Sequence, residues 1–416
     1  MELSMTLQIN SDRLWQSLMH LAEIGATAKG GVCRLALTDL DRQGRDLFVA
    51  WCREAGLGIR VDAIGNIFAR REGSDPTRRA IAMGSHIDTQ PTGGKFDGNF
   101  GVLAGLEVLR TLDDAGIRTA APLEVVAWTN EEGSRFVPVM MGSGVFSGAF
   151  GLDEVLPQQD IDGLTVGGEL ARIGYAGSQA PGEVPNGMFD AYFEAHIEQG
   201  PVLEAHDLTI GVVPGALGQR WYDVVVTGME AHAGPTPMNQ RHDALLAAAQ
   251  LVQRINQIAL DHAPHARATV GFMQVSPNSR NTIPGTVKFS VDLRALDDKV
   301  LSAMDQALRD SCAALMASDS RLEVAVEQVV YFKPCHFDAD CIGLVRRAAD
   351  TLGLASMDVV SGAGHDAVYL AAVAPSAMIF VPCKDGISHN ELEDAQQEHL
   401  AAGANVLLHA VLARAS

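Results

Sequence analysis

GSHIDTQPTGGKFDGN, residues 84–99, is the stretch that decides how this chain is interpreted. It ends an apolar run typical of a buried strand, and its glycines let the following loop turn tightly. His86 offers an imidazole nitrogen, Asp97 offers one carboxylate oxygen to each of two metal ions, and Asp88 can orient His86 through its second ring nitrogen. Alone, the loop fits a hydrogen-bonded turn better than a metal site, so other segments must supply further ligands.

Three further apolar, strand-like runs are each followed closely by residues that bind metals. They are LEVVAWT before Glu131 and Glu132, AYFEA before His196, and SAMIFVP before His389. A bare pair of glutamates is usually a solvated turn, but two buried carboxylates repel unless a cation or a shared proton compensates. Because four separate strands end in such residues, we expect the four ends to meet in one metal centre.

The predicted ligands are His86, Asp97, Glu132, His196 and His389. Imidazole and carboxylate donors suit zinc, manganese or cobalt, and five ligands with one bridging aspartate suit a pair of ions that activate a water. One glutamate must stay free of metal to take the proton of that water and pass it to a leaving nitrogen. We therefore expect Glu132 to bind metal and Glu131 to act as the base.

Taken together, these motifs resemble the dinuclear zinc amidohydrolases of the hydantoinase/carbamoylase type, which are related to zinc aminopeptidases. The resemblance extends from about residue 66 to about residue 391 and rests on GSHIDTQPTGGKFDG, TNEEGSRF, HIEQGPVLE, AHAGPTP, SRNTIPG, DLR, GAGHDA and SHNE. It implies two divalent ions, zinc before manganese or cobalt, with Asp97 as the bridge, Glu131 as the general acid/base and Asp88 as their support. His196 stands where the aminopeptidase relatives carry an acidic ligand, which favours an amidohydrolase.

The resemblance also implies which residues contact the substrate. His232 becomes the donor to the carbonyl oxygen that develops into an oxyanion, and Arg294 has the planar fork that grips a carboxylate. On the sequence alone an arginine at a strand end is more often a surface residue, so this role depends on the family position. The remaining implied substrate contacts are Gln199, Arg220, Asn281, Gly364 and His365.

The segment between His196 and GAGHDA predicts a separate domain. Its pattern of strand, helix, two strands, helix and strand favours a four-stranded antiparallel sheet with two helices. We expect this smaller α+β domain at residues 213–329, inserted into an α/β catalytic domain with a mixed, zinc-aminopeptidase-like sheet formed by 1–212 and 330–416. The resemblance implies that the insertion is a lid and the interface of a homodimer, in which His232 and Asn281 complete the neighbouring subunit's active site.

Composition bounds the protein's class. The chain has 416 residues, of which 47% are hydrophobic and 20% charged, enough for two domains with real cores. A formal charge of −20 argues against binding nucleic acid or an anionic membrane surface. The first residues predict an amphipathic helix rather than a secretory signal, no run is long enough to span a membrane, and the six cysteines include no CxxC pair. We expect a cytoplasmic enzyme with reduced thiols.

The leading hypothesis is hydrolysis of an N-carbamoyl amino acid to the amino acid, carbon dioxide and ammonia. Allantoate or ureidoglycolate hydrolysis is the alternative within the same chemistry. A dipeptidase is disfavoured by His196, and a non-catalytic binding protein by the presence of every ligand and of the base. The motifs do not separate α-amino from β-amino substrates, because one methylene changes pocket depth without changing the motif residues.

Overall fold

The computed structural model describes residues 7–416, and the chain divides into two compact units. Unit 1 comprises the chain up to Pro214 together with Phe337–Ser416, and unit 2 is Gly215–His336. The first six residues, which were predicted to belong to the catalytic domain and to the N-terminal helix, lie outside the described part. The expected α/β class with a large mixed sheet is confirmed.

Elements are numbered in chain order. The strands are β1 (Gly58–Val61), β2 (Ile67–Arg71), β3 (Ile81–His86), β4 (Leu123–Trp128), β5 (Ala191–Ile197), β6 (Ile210–Val213), β7 (Gly215–Ala216), β8 (Gly218–Thr227), β9 (Ala231–His232), β10 (Arg267–Thr269), β11 (Met273–Ser276), β12 (Thr282–Ile283), β13 (Thr286–Ala295), β14 (Glu323–Phe332), β15 (Cys335–His336), β16 (Ser356–Asp358) and β17 (Ser376–Val381). The α-helices are α1 (Ser11–Glu23), α2 (Asp39–Glu54), α3 (Asn99–Asp114), α4 (Met141–Ser147), α5 (Leu152–Val155), α6 (Val166–Ile173), α7 (Val202–Ala205), α8 (Ala244–Asp261), α9 (Asp298–Ser318), α10 (Ala339–Thr351), α11 (Asp366–Leu370) and α12 (Gln397–Ala415). Short 3₁₀ helices lie at Met238–Gln240 and Lys384–Gly386.

Unit 1 is built on an eight-stranded sheet with the order β1-β2-β4-β3-β5-β17-β6-β16. The neighbours β4, β3, β5 and β17 run parallel, whereas β1, β2 and β6 pair antiparallel with their neighbours towards the centre. All residues of the four parallel strands are buried, which explains their continuous apolar runs. Because these strands share one direction, their carboxyl ends lie along one edge of the sheet.

Helix α3 follows the loop that carries Asp97, residues 87–98. It begins at Asn99, directly after its N-cap Gly98, and nearly all of its residues are buried. The helix contacts both β3 and the apolar helix α12. The loop that carries Asp97 is therefore tied at one end to a central strand and at the other to a rigid helix.

Unit 2 has an antiparallel sheet in which β8 lies between β13 and β14. The sequence predicted four strands, but the partner on the outer side of β13 is split into β10 and β11, because the three residues 270–272 lie opposite only two residues of β13 and interrupt the regular pairing. The predicted alternation in β13 is present, and its buried face packs against α8 and α9. The unit continues to His336, beyond the predicted boundary at 329, because β14 runs to Phe332 and β15 pairs with β7.

Two further observations concern the chain's environment. Across residues 7–416, no helix has both the length and the apolar character needed to cross a bilayer. No disulfide links any of the six cysteines, all of which lie within residues 7–416, and burial raises the pKa of several of them, to about 12 for Cys52 and Cys383.

Candidate active site

The candidate ligands lie together at the carboxyl edge of the parallel strands. His86 is the last residue of β3, and His196 is the penultimate residue of β5. The other ligands lie in loops that follow the strand ends, so that two groups form within ligand distance. The groups are His86, Asp97 and His196, and Asp97, Glu132 and His389. The arrangement follows from the sheet order, because the four strands that carry the predicted residues are neighbours.

Asp97 occupies the centre of both groups. Its Oδ1 lies 3.6 Å from His86 Nε2 and 3.2 Å from His196 Nε2. Its Oδ2 lies 3.4 Å from His389 Nε2, which in turn is 3.3 Å from Glu132 Oε2. Each carboxylate oxygen therefore faces one group, which is what a carboxylate that bridges two divalent ions requires. The residues present fit a pair of such ions.

The two buried imidazoles are oriented by backbone carbonyls. His86 Nδ1 donates to the carbonyl oxygen of Asp88 at 2.9 Å, and His196 Nδ1 donates to that of Ile197 at 2.8 Å. Both rings therefore turn Nε2 towards Asp97, as metal-binding histidines do. The expected contact of Asp88 with His86 is thus made by its carbonyl, since its nearest carboxylate oxygen is 3.9 Å away.

The Asp88 carboxylate has a different task. It accepts hydrogen bonds from the backbone N–H groups of Glu131 and Glu132, each at 3.2 Å. The loop after β3 therefore holds the loop after β4, and with it both glutamates.

Several residues at the site have positive φ values. Gly98 has φ +66°, and a Cβ atom there would lie 2.4 Å from the His86 ring, so only glycine fits beneath the imidazole. Asn130, Gln199 and His389 also have positive φ values, of 54°, 56° and 53°. Non-glycine residues are rarely held in this region, and such strain concentrates at functional sites.

Glu131 borders the two groups without belonging to either. Its Oε2 lies 3.5 Å from His86 Nε2. Burial raises the pKa of Glu131 well above its ordinary value, and the Asp366 and Glu132 carboxylates raise it further against the opposing effect of His86. A buried carboxyl group with a high pKa and no ligand geometry is suited to carrying a proton.

The crowding of buried carboxylates favours protonation of this site when no cation is bound. Burial and the nearby Asp97 carboxylate raise the pKa of Glu132 to about 8. Burial opposes protonation of His86, but the surrounding carboxylates, Glu131 first, raise its pKa well above the ordinary value. A divalent cation would replace these protons and compensate the same carboxylates.

The site opens into a cavity of about 130 Å³. Its lining includes all five predicted ligands, Glu131, and three of the predicted substrate contacts. The lining residues are His86, Gln90, Asp97, Glu131, Glu132, Val139, Met140, His196, Gln199, Ala363, Gly364, His365 and His389.

Gln199, expected to contact the substrate, binds the central carboxylate here. Its Nε2 donates to Asp97 Oδ2 at 2.8 Å and to Ser388 Oγ at 3.1 Å. Ser388 Oγ also donates to Asp97 Oδ2, at 2.8 Å. Ser388 was not predicted, although it stands beside His389 in the SHNE motif.

Sequence reasoning missed two other residues of this region. Gln90 binds Glu132 through both its backbone N–H, at 3.2 Å, and its side-chain amide, at 2.8 Å. The buried Glu393 accepts from the backbone N–H groups of Phe96 and Asp97, at 2.9 and 3.1 Å. Gln90 lies within the decisive stretch and could have been considered, whereas nothing in the pattern around Glu393 marks it.

His365 of the GAGHDA motif is fully enclosed. Its ring centroid lies 4.6 Å from that of His196, and its Nε2 is 2.9 Å from Ser361 Oγ. Burial lowers its pKa well below the ordinary value, so the ring is neutral. Glu194 joins His196 and His365 in a third possible ligand group, but its carboxylate already accepts from Ser85 Oγ at 2.6 Å and from a backbone N–H of α11 at 2.9 Å.

In unit 2, His232 and Asn281 are neighbours. The short ladder of β9 and β12 pairs His232 with Thr282, and the N–H of Ala233 donates to the carbonyl of Asn281 at 2.8 Å. The N–H of Gly234 donates to His232 Nδ1 at 3.1 Å, which leaves the proton of the neutral ring on Nε2. The exposed His232 therefore presents an N–H donor.

The two predicted substrate arginines have partners within unit 2. Arg294 Nη2 donates to Asp292 at 2.8 Å, two residues away on the same strand. Arg220 donates to Asp305 at 3.2 Å and lies over the Tyr331 ring, 4.6 Å from its centroid. These contacts connect β8 with α9 and β14.

Comparison with known proteins places this geometry in context. Residues 82–413 match the family model described as peptidase family M20/M25/M40. The chain is 48% identical to the N-carbamoyl-L-amino-acid amidohydrolase of Rhizobium meliloti, over 97% of this chain and 96% of the relative. It is 34% identical to the ureidoglycolate hydrolase of Oryza sativa subsp. japonica, over 96% and 84%. A solved amidase of the hydantoinase/carbamoylase family from Burkholderia multivorans is 59% identical, with a TM-score of 0.95 and 99% of both chains covered.

Proposed function

The chain belongs to peptidase family M20/M25/M40 and, within it, to the hydantoinase/carbamoylase amidases, and on this premise we propose that it hydrolyses the ureido C–N bond of N-carbamoyl-L-amino acids. One water is consumed, and the products are the amino acid, carbon dioxide and ammonia. The observation that carries the proposal is the convergence of two ligand groups on Asp97, beside a buried glutamate that belongs to neither.

We assign the metal centre to His86, Asp97, Glu132, His196 and His389. Two divalent ions held there would supply a water that is nucleophilic near neutral pH and would polarise the substrate carbonyl. Zinc is our first choice, and manganese and cobalt accept the same donors. This assignment is supported by the two carboxylate oxygens of Asp97, because Oδ1 faces His196 and Oδ2 faces His389.

We assign proton transfer to Glu131. Its carboxylate takes the proton of the attacking water and delivers it to the nitrogen that leaves with the cleaved bond. The raised pKa of Glu131 supports this role, because a carboxylate with a raised pKa accepts a proton more readily than an ordinary one. Asp88 keeps Glu131 in position through the backbone N–H that its carboxylate accepts.

We assign substrate recognition to both units. The Nε2–H group of His232 donates a hydrogen bond to the developing oxyanion. The contact from Gly234 N–H to Nδ1, which fixes the tautomer, supports this role. Arg294 binds the amino-acid carboxylate, with Asp292 holding one edge of its guanidinium. The remaining assigned contacts are Gln199, Arg220, Asn281, Gly364 and His365.

We also propose that the protein is a cytoplasmic homodimer that associates through unit 2, which acts as a lid. Apolar side chains on the surface of unit 2 support an interface there, with exposed fractions of 74% at Met238 and 50% at Phe272. The six cysteines, none of which forms a disulfide, support a reducing compartment. Sedimentation analysis would give a dimer mass, and a monomer at micromolar concentration would contradict the proposal.

Ureidoglycolate or allantoate hydrolysis is the second candidate, and the ureidoglycolate hydrolase relative favours it. The catalytic residues assigned above serve this chemistry equally, since the bond cleaved is again a ureido C–N bond. The lower identity, 34% against 48%, makes it the second choice.

The deciding experiment measures ammonia release by protein reconstituted with Zn²⁺, Mn²⁺ or Co²⁺. The panel contains N-carbamoyl-L-α-amino acids, N-carbamoyl-β-alanine, allantoate, ureidoglycolate and a dipeptide followed by amine release, with chelated protein as the control. We expect metal-dependent turnover of carbamoyl-L-amino acids. Turnover of allantoate or ureidoglycolate alone would establish the second candidate, and metal-loaded protein silent on every compound would overturn both.

A further inference from the structure

Two arginines of unit 1 are almost completely buried, and their surroundings differ. Arg34 and Arg45 have exposed fractions of 0% and 1%. Arg45 forms an ion pair with Asp41, its Nε lying 2.8 Å from a carboxylate oxygen. Arg34 lies within ion-pair distance of none of the carboxylates in residues 7–416, and the hydrogen bonds of its guanidinium go to neutral acceptors. A buried cation without a contacting anion is costly, so its position calls for a reason.

The guanidinium of Arg34 contacts both ends of the loop between β3 and α3, residues 87–98, which we call the ligand loop because it follows His86 and carries Asp97. Its Nε donates at 2.8 Å to the carbonyl of Ile87, the residue that follows His86. Its Nη2 donates at 2.6 Å to the side-chain oxygen of Asn99. The amide nitrogen of Asn99 in turn donates to the carbonyl of Asp97, at 3.1 Å. A single planar group therefore connects the segment of His86 to the segment of Asp97.

The backbone of Arg34 makes a third connection to the same loop. Its N–H donates to Thr89 Oγ1 at 2.8 Å, and its carbonyl accepts from the N–H of Thr89 at 3.0 Å. The remaining nitrogen, Nη1, donates to the carbonyls of Leu21 and Ile24 at the end of α1, at 3.0 and 2.8 Å. Arg34 thus fastens the ligand loop at three points and ties it to α1.

These contacts need the shape of arginine as well as its charge. Burial lowers the pKa of the Arg34 guanidinium to about 10, with Asp41 and Asp88 opposing the effect, so the group is still protonated at neutral pH. Its donors point in several fixed directions in one plane, whereas a lysine ammonium is a compact point of charge that cannot reach acceptors on three separate segments.

We propose that Arg34 is a positioning residue for metal binding: it fixes the separation of His86 and Asp97 before an ion binds. Asp97 lies on a glycine-rich loop, which in the absence of such fastening would have to be ordered by the metal itself. Pre-ordering the loop removes that entropic cost from binding and so raises metal affinity. This inference rests on the proposed function, because it takes His86 and Asp97 as metal ligands.

The contacts to Leu21 and Ile24 also stabilise the fold, so the test separates stability from metal affinity. Arg34→Lys is compared with the matched control Arg45→Lys, since Arg45 is equally buried but its side-chain hydrogen bonds go to Asp41, Gly65 and Thr129 and not to the segment between His86 and Asn99. For each protein, Zn²⁺ affinity is measured by competition with a chromophoric chelator, and the metal-free form is unfolded by heat. We expect both variants to unfold at lower temperature, but only Arg34→Lys to raise the Kd for Zn²⁺, by about 10- to 100-fold.

A milder variant keeps the inference testable if Arg34→Lys does not fold. Asn99→Ala keeps Arg34 and removes the side-chain bridge between its guanidinium and the carbonyl of Asp97. We expect it to weaken Zn²⁺ binding in the same direction by a smaller factor. Zn²⁺ binding at wild-type affinity in the folded variants, or an equal loss in Arg45→Lys, would overturn the positioning role. A wild-type protein that binds no Zn²⁺, Mn²⁺ or Co²⁺ would instead overturn the metal centre, and this inference with it.

Discussion

The residues assigned to catalysis in unit 1 are buried except for His389, whose side chain is 50% exposed, whereas His232 and Asn281 of unit 2 are exposed. In unit 1 the exposed fractions of His86, Asp97 and His196 are 2%, 4% and 1%, and neighbouring groups hold each side chain. In unit 2, His232 and Asn281 lie on the surface of a two-stranded ladder, and every metal-capable group found among residues 7–416 lies in unit 1. The chemistry of unit 1 can therefore be inferred from side chains that meet at one place. The proposed roles of His232 and Asn281 in unit 2, by contrast, depend on a bound substrate.

This contrast predicts two kinds of failure. Substitutions in unit 1 should alter the metal content or the transfer of the proton. Substitutions in unit 2 should leave the metal content unchanged and alter only the handling of substrate. The experiments below are ordered by the size of the expected effect.

The largest effect is expected from Glu131→Gln. The amide preserves the shape of the side chain but cannot accept a proton, so kcat should fall by about 10²- to 10⁴-fold while both ions remain bound. Ammonia release and metal analysis of the same sample test this expectation. Glu132→Gln is the matched control, because it should lose metal instead. Near-normal turnover by Glu131→Gln would show that the base has been assigned wrongly.

In unit 2 the largest effect is expected from His232→Ala. Removal of an oxyanion donor should lower kcat by about 10²- to 10³-fold. Metal content should equal that of the wild type, which distinguishes this variant from those in unit 1. His265→Ala, at another exposed histidine of the same unit, should behave as wild type. Loss of metal from His232→Ala would break the proposed division between the units.

A smaller effect is expected from Arg294→Ala. A charge-assisted hydrogen bond contributes about 1.5–3 kcal/mol, so KM should rise by about 10- to 100-fold with little change in kcat. Steady-state kinetics on a carbamoyl amino acid give both constants. Arg267, paired with Arg294 across β10 and β13, provides the control substitution Arg267→Ala. A fall in kcat at unchanged KM would remove the carboxylate-anchoring role.

The smallest effect concerns the stability of the metal-free protein. Burial raises the pKa of Glu132 to about 8 and that of Glu393 to about 7, so the folded state binds more protons than the unfolded state between about pH 4.5 and 8. Stability contributed by these groups is present at the acid end and is lost as pH rises. Asp319 in unit 2 is shifted the opposite way by Arg321, so its contribution is lost only in acid.

We therefore expect the melting temperature of chelated protein to fall between pH 5 and pH 8, and Glu132→Gln to reduce the slope. Metal-loaded protein should not show this fall, because the ions stabilise the ionised carboxylates. Thermal unfolding followed by circular dichroism at several pH values gives the comparison. A chelated protein that becomes more stable towards pH 8 would contradict the expectation.

The ligand strands could be predicted because buried parallel strands leave a simple pattern, an uninterrupted apolar run followed by a polar turn. The strands β3, β4, β5 and β17 all show this pattern. His86 and His196 lie at the ends of β3 and β5, and Glu132 and His389 lie in the loops that follow β4 and β17. The α/β class followed from the same segments, and the family resemblance from these together with motifs of unit 2 such as AHAGPTP and SRNTIPG.

The supporting contacts could not be predicted, because they join segments that are distant in sequence. Arg34 is a single arginine in GGVCRLALT, and only the folded chain brings it to Asn99. Glu393 likewise has no pattern that would connect it to Asp97. In unit 2, alternation predicted β13 but could not show that its outer partner is split into β10 and β11, since alternation reports which face is buried and not where pairing stops.

The sheet order also determines when each strand can pair with its neighbours during synthesis. β17 lies between β5 and β6, yet the ribosome makes it only after all of unit 2. Until then the nascent β5 and β6 each lack a neighbour, whereas unit 2 is contiguous and can fold by itself as it emerges. His389 follows later still, so the second of the two proposed ligand groups is complete only after β17 has been made. A product truncated before β17 would expose two unpaired strand edges, the kind of surface that chaperones and proteases recognise.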